Sequence, residues 1–448
     1  MSNESSLRSR LFADYGMFFV LAVLASLFSF LTYKEQHPTG SDAGRQVAEI
    51  VEESREGPLH VMIVARGTAE DREFTSAARA GLVSNGVTVV AVVNGEPRDV
   101  RIEVERLSEA GQSVDLIVAN DVASRWTVYD RFPELKMTPR VTPRPYYGAD
   151  FLKSSNLIGV ANQTAIYAII AIGMTMVIVT AGIDLSVGSL VALAAVSSAL
   201  FIRESGGVDA SSAVVIAGVI GGIMLCCLLG AFNGVMVTVF QLPPFIVTLA
   251  MMMMASGLAF RLSSGRSIAE LPESFFALGG GRLMGVPNPV WLMVGLYVVG
   301  HILMSRTVLG RYIYAIGGNE EAARLSGVPV KRTLLAVYTV CGALAGLGGV
   351  VLASQLEAGD PKFGDKYELH VIAAVVVGGT SLMGGQGKVL GTLIGAFIIA
   401  VIKNGMNLTN VDPFNQKIVL GGVLLLGVLI DTMKRRPEIL TRLFSKRG

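Results

Sequence analysis

Six polar side chains stand inside or at the edges of long apolar stretches of the sequence. They are Asn162, Gln163, Asp184, Asn233, Glu368 and Asn404. Lipid offers no hydrogen-bond partner, so a polar solute that sheds water while crossing a membrane needs such groups along its path. The sequence therefore makes these six residues candidates for a substrate pathway. For the amides the alternative is a hydrogen bond between helices, and for Asp184 it is capping of a helix.

No residue pattern for covalent chemistry or metal binding occurs in the sequence. The histidines are scattered: His37, His60, His301 and His370. The Gly387-Lys388 pair is followed by Val389 rather than Ser or Thr, and the earlier glycine of a phosphate-binding loop is missing. We expect no catalytic residue, no metal and no cofactor, and no ATP site in this chain.

Composition indicates a polytopic membrane protein. Of 448 residues, 52% are hydrophobic and 16% are charged, and the mean hydropathy is +0.56. A net charge of +2 gives no reason to expect nucleic-acid binding. Cys226, Cys227 and Cys341 all fall in apolar runs, where no disulfide framework is expected.

Apolar runs of about 20 residues predict membrane-spanning helices. The first, Gly16–Thr32, follows a head with Arg8 and Arg10, and we interpret it as a retained signal anchor. Further spans are predicted at about 157–181, 185–202, 212–239, 243–262, 288–305, 333–354, 369–384, 388–405 and 417–432. Four glycines interrupt 369–384, so this piece could instead be a re-entrant or discontinuous helix. The prediction is about ten spans.

Lysine and arginine in short loops give the orientation, because such loops favour the cytoplasm. The head, the 305–333 loop and the 434–448 tail are basic, and ten spans place all three on one side. Both termini are then cytoplasmic in a bacterial inner membrane. Residues 34–150, which separate the head and first helix (1–33) from the main membrane domain (151–433), are then periplasmic.

The 34–150 segment is rich in charge and reads as a small α/β domain. Strands alternate with helices in the order His60–Arg66, Ala69–Ser84, Val87–Val93, Asp99–Ala110 and Val114–Asn120. The fold class predicted for the whole chain is an all-α polytopic membrane protein with this small α/β insertion.

Glycines recur every four residues on two predicted helices. Gly387, Gly391 and Gly395 share one face of the first, and Gly342 and Gly346 share one face of the second. Small residues at this spacing let helix backbones approach closely in lipid. These helices are predicted to form the core of a protomer or a dimer interface.

One apolar stretch, GMTMVIVTAGIDLSVGSLV at Gly173–Val191, is interrupted where Asp184 and Ser186 could cap a resuming helix. This string resembles the hallmark of the ribose/galactose/xylose permease family of ABC importers. Strings beginning at Leu242, Gly310, Tyr367 and Asn404 resemble the same family, so that the likeness covers about 155–435. The sequence departs from the family at Ala181, where glycine is usual, and at His370, where an acidic residue is more frequent.

The 305–333 loop carries a short predicted helix. Its residues are Asn319, Glu320, Glu321, Ala322, Ala323, Arg324 and Gly327. Asn319 suits the N-cap, the glutamates complement the positive helix end, and Gly327 ends a helix of about two turns. In ABC permeases a helix of this kind docks on the ATPase subunit, and the resemblance implies that role here. A solvated connector is the alternative.

The resemblance also implies partners and a cargo. Two copies of the chain would pair as a homodimer in membrane lipid, an ABC ATPase subunit would drive them, and a periplasmic sugar-binding protein would deliver a monosaccharide. The 34–150 domain resembles one lobe of such a binding protein. A single lobe lacks the cleft between two lobes, so a docking or spacer role without its own sugar site is favoured.

Two other interpretations compete with the importer. A secondary transporter driven by an ion gradient would need charged pairs near mid-membrane, for which Asp184 and Glu368 are the candidates. A periplasmic sensor tethered to a degenerate membrane part would have lost the 305–333 helix, yet its sequence signals are intact.

Overall fold

A computed structural model of the chain describes residues 2–55 and 57–435. The chain divides into two compact units. The helical unit holds the residues up to Leu31 and from Phe151 onward, and the inserted unit holds Thr32–Asp150. The predicted 434–448 tail lies outside the described residues from position 436 onward.

The inserted unit is an α/β domain built on a parallel sheet. Its elements are β1 (Tyr33–Gln36), α2 (Gly40–Glu53), β2 (His60–Ala65), α3 (Ala69–Ser84), β3 (Thr88–Asn94), α4 (Pro97–Glu109), β4 (Leu116–Ala119), α5 (Asp121–Ser124), α6 (Pro133–Lys136), β5 (Arg140–Val141) and β6 (Tyr146–Ala149); α1 (Ser2–Leu31) precedes them in the helical unit. The sheet order is β3-β2-β4-β5, with all pairs parallel.

Both faces of this sheet are covered. Side chains alternate along β2, so Val61 and Ile63 pack with α2 and α3, whereas Met62 and Val64 pack with α4 on the opposite face. Sequence periodicity located β2, β3 and β4 and the helices between them. It missed α2 and the antiparallel pair of β1 with β6, which closes the unit where the chain enters and leaves it.

The remaining elements belong to the helical unit. They are α7 (Ser154–Val179), α8 (Val187–Glu204), α9 (Ser212–Thr238), α10 (Pro244–Leu262), α11 (Glu273–Gly280), β7 (Arg282–Leu283), β8 (Val286–Pro287), α12 (Asn288–Arg306), α13 (Val308–Gly318), α14 (Glu320–Leu325), α15 (Val330–Gln355), α16 (Tyr367–Val377), α17 (Val389–Leu408) and α18 (Pro413–Arg435). Neither α11 nor the β7–β8 hairpin was predicted from the sequence.

Among the described residues, 7 helices are long and apolar enough to cross a membrane, namely α7, α8, α9, α10, α12, α15 and α17. The other three predicted spans correspond to shorter apolar helices: Gly16–Leu31 within α1, Tyr367–Val377, and Pro413–Leu429 within α18. At 1.5 Å per residue, the 11 residues of α16 reach about 16 Å, roughly half of a hydrocarbon core. The continuous span predicted at 369–384 is therefore wrong, and the discontinuous alternative describes this region.

The core of the helical unit surrounds α7, most of whose apolar window is buried. Helix α15 packs along α9, α8 and α7. Four of the five predicted packing glycines lie in helices at close contacts: a Cβ on Gly346 would stand 2.9 Å from Cys226 Cβ, and one on Gly395 would stand 2.7 Å from Gly378 N. Close helix packing is therefore what these glycines permit. The prediction was wrong for Gly387, because α17 begins at Val389.

Candidate functional site

A cavity of about 340 Å³ opens between α7, α15, α16 and α17. We call it the polar cavity, because hydrogen-bonding and aromatic side chains line it among aliphatic ones. These side chains are Gln163, Thr164, Tyr167, Gln355, Tyr367, His370, Lys403 and Asn404. Small-molecule sites typically combine apolar and aromatic walls with a few convergent polar groups, as this cavity does.

Three rings form one wall of the polar cavity. The ring centroids of Tyr167 and Tyr367 are 4.4 Å apart, and His370 meets Tyr167 edge-on at 5.6 Å. Helix α7 supplies Tyr167 and helix α16 supplies the other two, so the wall depends on the packing of these helices. The rings give an apolar surface bordered by hydroxyl and imidazole groups, which suits the face of a small polar ring.

Of the six predicted pathway residues, Gln163 and Asn404 lie at the polar cavity. Asn404 is already paired: it exchanges two amide hydrogen bonds with Asn156, of 2.8 and 3.1 Å. Asn156 also donates to the Phe151 carbonyl at 2.8 Å. Asn404 therefore forms hydrogen bonds between two helices, as the alternative interpretation predicted. These bonds orient its side chain at the edge of the polar cavity.

Asp184 and Asn233 form a separate, fully buried cluster. Asp184 Oδ1 accepts hydrogen bonds from the Ser186 amide at 2.9 Å and from its hydroxyl at 2.6 Å. Asn233 Nδ2 donates to Ser186 Oγ at 3.1 Å. The predicted N-cap position of Ser186 on α8 is confirmed, although its hydroxyl donates to Asp184 and makes no capping hydrogen bond to the helix.

Glu368 and Asn162 lie apart from both groups. Glu368 lines a different cavity, of about 830 Å³, with Gly188, Lys362 and Asp365. The amide oxygen of Asn162 is buried and has no hydrogen-bond partner. The six residues thus lie in four separate places. They do not line a single pathway in the structure.

Sequence reasoning missed most of the polar cavity. Tyr167, Gln355, Tyr367 and Lys403 line it, and His370 entered only as a departure from a family pattern. Tyr167 and Gln355 come from helices that lie far apart in the sequence. The one available signal was Lys403, a lysine inside an apolar run, which is expensive in a membrane and often functional.

The 305–333 loop folds into two helices rather than the predicted one. Helix α13 occupies Val308–Gly318, for which the sequence predicts no element, and α14 has 6 residues, close to the two turns predicted. The predicted cap is confirmed, because Asn319 Oδ1 accepts from the Ala322 amide at 2.9 Å. Gly327, at φ +82°, follows the end of α14, as predicted for a helix-terminating glycine.

Helix α14 is held firmly and exposes one large apolar side chain. Ala323 is buried with Ile316 and Val330, and Glu321 pairs with Arg324 at 2.5 Å. The hydrogen bond to Glu321 raises the pKa of Arg324 above its ordinary value, so its guanidinium group stays charged. Leu325 is 80% exposed. An exposed leucine on a rigid charged helix is typical of a docking surface.

The inserted unit has a polar cluster at the carboxyl ends of its strands. The buried carboxylate of Asp71 accepts from Arg66 Nε at 2.9 Å, Thr68 Oγ1 at 2.7 Å and Asn120 Nδ2 at 2.6 Å. These bonds tie the loops after β2 and β4 to the start of α3. Because the groups satisfy one another, the cluster is accounted for as structure.

Comparisons with known proteins place the helical unit in a family. Residues 156–428 match the family described as branched-chain amino acid transport system / permease component. The ribose import permease protein of Escherichia coli (strain K12) is 42% identical over 290 residues, 64% of this chain and 88% of that protein. No solved structure matches the chain.

Two further relatives agree with this placement. The ribose import permease protein of Bacillus subtilis (strain 168) is 43% identical over 286 residues, 63% of this chain and 87% of the relative. The L-arabinose ABC transporter permease protein of Azospirillum brasilense is 39% identical over 289 residues, 64% of this chain and 83% of the relative.

Proposed function

The chain belongs to the family of branched-chain amino acid transport system permease components, and from this membership we propose that it imports a monosaccharide. It would be the membrane-spanning permease subunit of an ABC importer, without enzymatic activity of its own. The relatives named for ribose and arabinose import support the cargo class. The observation that carries the proposal is the polar cavity in the helical unit, which has the size and lining for one small polar ring.

The proposed arrangement in the membrane follows from charge and span count. Ten crossings, some by short or broken helices, would leave both termini in the cytoplasm of a bacterial inner membrane and the inserted unit in the periplasm. The inserted unit would serve as a docking or spacer domain. Two copies of the chain would pair around the path, and a periplasmic sugar-binding protein would deliver the cargo to the outer mouth.

Helices α13 and α14 are the proposed contact with a separate ATPase subunit. Asn319 and Gly327 fix the ends of α14, and the buried Ala323 anchors it to the helical unit. A rigid helix can transmit movement of the ATPase to α15, which follows it directly in the chain. Glu320, Glu321, Arg324 and Leu325 would face the partner, with Leu325 as the apolar anchor.

Leu325→Asp is expected to prevent the ATPase from copurifying with this chain. If Leu325 is a hot spot of the interface, charging it costs about 2 kcal/mol or more, which weakens binding by roughly thirtyfold. The test is co-expression with the ATPase encoded beside the gene, purification in detergent through a tag on this chain, and quantification of the ATPase that is retained.

Met284→Asp is the matched control for this experiment. Met284 is 88% exposed in the turn between β7 and β8, so the variant carries the same new charge at another exposed apolar position. It should retain the ATPase at the wild-type level. Equal retention by both variants would exclude the assignment of α14, and absence of the ATPase from the wild type would favour an ion-driven carrier.

A further inference from the structure

We propose that the cargo of the polar cavity is a sugar acid, a monosaccharide with a carboxylate group, rather than a neutral sugar. Lys403 and His370 would bind its carboxylate, and the tyrosine rings and Gln163 would contact the rest. This inference rests on the proposed transport function and narrows its substrate class.

The charge of the polar cavity carries the inference. Lys403 on α17 and His370 on α16 both line it, and none of its described lining residues is an aspartate or glutamate. The nearest acidic residue along α16, Glu368, lines a different cavity. A solute in the polar cavity therefore meets one fixed positive charge and one imidazole, and no negative charge.

An adjoining cavity, of about 460 Å³, adds to this charge. It shares His370, Ile399 and Lys403 with the polar cavity, and its lining also includes Lys366 and Lys417, again without an acidic residue. Lys366 lies 4.0 Å from Asp365, and Lys417 stands over the Phe414 ring. Among the described residues, none forms an ion pair or a hydrogen bond with the ammonium group of Lys403.

Lys403 is partly buried, and an ammonium group that is partly removed from water without a partner is costly. The lining of the polar cavity is largely aliphatic and aromatic and includes Ile399, Ala400, Tyr167 and Tyr367. A carboxylate from the cargo would supply a charge-assisted hydrogen bond at this point, which is roughly twice as strong as a neutral one. Gln163 and Asn404 could form hydrogen bonds with the hydroxyl groups of a neutral sugar, and no lysine would be needed for that.

The test is direct binding to the purified full-length chain in detergent. We would titrate D-glucuronate and D-glucose by isothermal titration calorimetry, because the two share one pyranose ring and differ only in the carboxylate that replaces the hydroxymethyl group. The wild type is expected to bind glucuronate at least about tenfold more tightly than glucose. Lys403→Gln, which keeps the polar group and removes the charge, should lose that preference, and His370→Gln should reduce it.

Lys136→Gln is the matched control, because Lys136 is exposed on α6 of the inserted unit, and it should bind glucuronate like the wild type. Equal affinity for glucose and glucuronate, no binding of glucuronate, or full affinity in Lys403→Gln would each overturn the sugar-acid assignment. None of these results depends on the ATPase, so they are distinguishable from failure of the transport proposal, which the α14 experiment tests.

An anionic lipid headgroup is also negatively charged, so a second experiment distinguishes a soluble sugar acid from a lipid. Phosphatidylglycerol would be added to the detergent before the glucuronate titration. Undiminished glucuronate binding supports a soluble sugar acid. Retention of phosphatidylglycerol by the wild type but not by Lys403→Gln, together with no glucuronate binding, would identify a lipid site and overturn the proposal.

Discussion

Gly230→Leu is expected to abolish recovery of the folded protein. Gly230 lies on α9 where α15 crosses it, and a Cβ there would stand 3.0 Å from Gly342 Cα and closer still to the Tyr338 carbonyl oxygen. Both neighbours are backbone atoms of a buried helix, so neither can move aside as a flexible side chain would. Overpacking of this kind separates the helices and removes contacts along the whole α9–α15 interface.

Gly221→Leu on the same helix provides the control, because no heavy atom lies within 4 Å of a Cβ at that position. Expression and monodispersity in detergent would be measured by size-exclusion chromatography for both variants. We expect the yield of Gly230→Leu to fall by roughly tenfold or more and that of Gly221→Leu to stay near wild type. Similar yields from the two variants would show that α9 and α15 are not packed this closely.

Local sequence patterns predicted those features that depend on neighbouring residues. Apolar run length located every helix of spanning length, and the change between strand and helix periodicity located β2 to β4 of the inserted unit. Capping chemistry is equally local, so the cap at Asn319 and the helix-ending glycine at Gly327 were both predictable. These signals involve groups only a few residues apart.

Features that depend on tertiary contact were not predictable in the same way. Asn156 and Asn404 are 248 positions apart, so nothing in either local sequence indicates that they pair. The polar cavity combines Tyr167 with His370 for the same reason. Glycines inside an apolar stretch also make span prediction unreliable. The apolar stretch predicted as one span at 369–384 contains a short helix that ends at Val377, followed by a turn.

Asp184→Ala is expected to destabilise the helical unit by about 2–3 kcal/mol, since it leaves buried donors without their acceptor. Asp184 is 0% exposed, and its Oδ1 accepts from both the amide and the hydroxyl of Ser186. The same hydroxyl receives the hydrogen bond from Asn233 Nδ2, so the carboxylate indirectly orients a side chain on α9. Loss of the carboxylate should therefore loosen the start of α8 and its contact with α9 together.

Asp184→Asn separates the hydrogen bond from the charge. Its amide oxygen can still accept from Ser186, so we expect a loss of about 1 kcal/mol or less, and Asp209→Ala in the exposed turn after α8 should change stability by at most about 0.5 kcal/mol. Thermal unfolding in detergent would measure all three. A larger loss in the asparagine variant than in the alanine variant would contradict the hydrogen-bond account, because it would mean that an amide group is harder to accommodate than the missing acceptor.

Because both Asp184 and Asn233 are buried away from the polar cavity, a loss of transport in these variants should follow the loss of folded protein, with the affinity for cargo unchanged in the folded fraction.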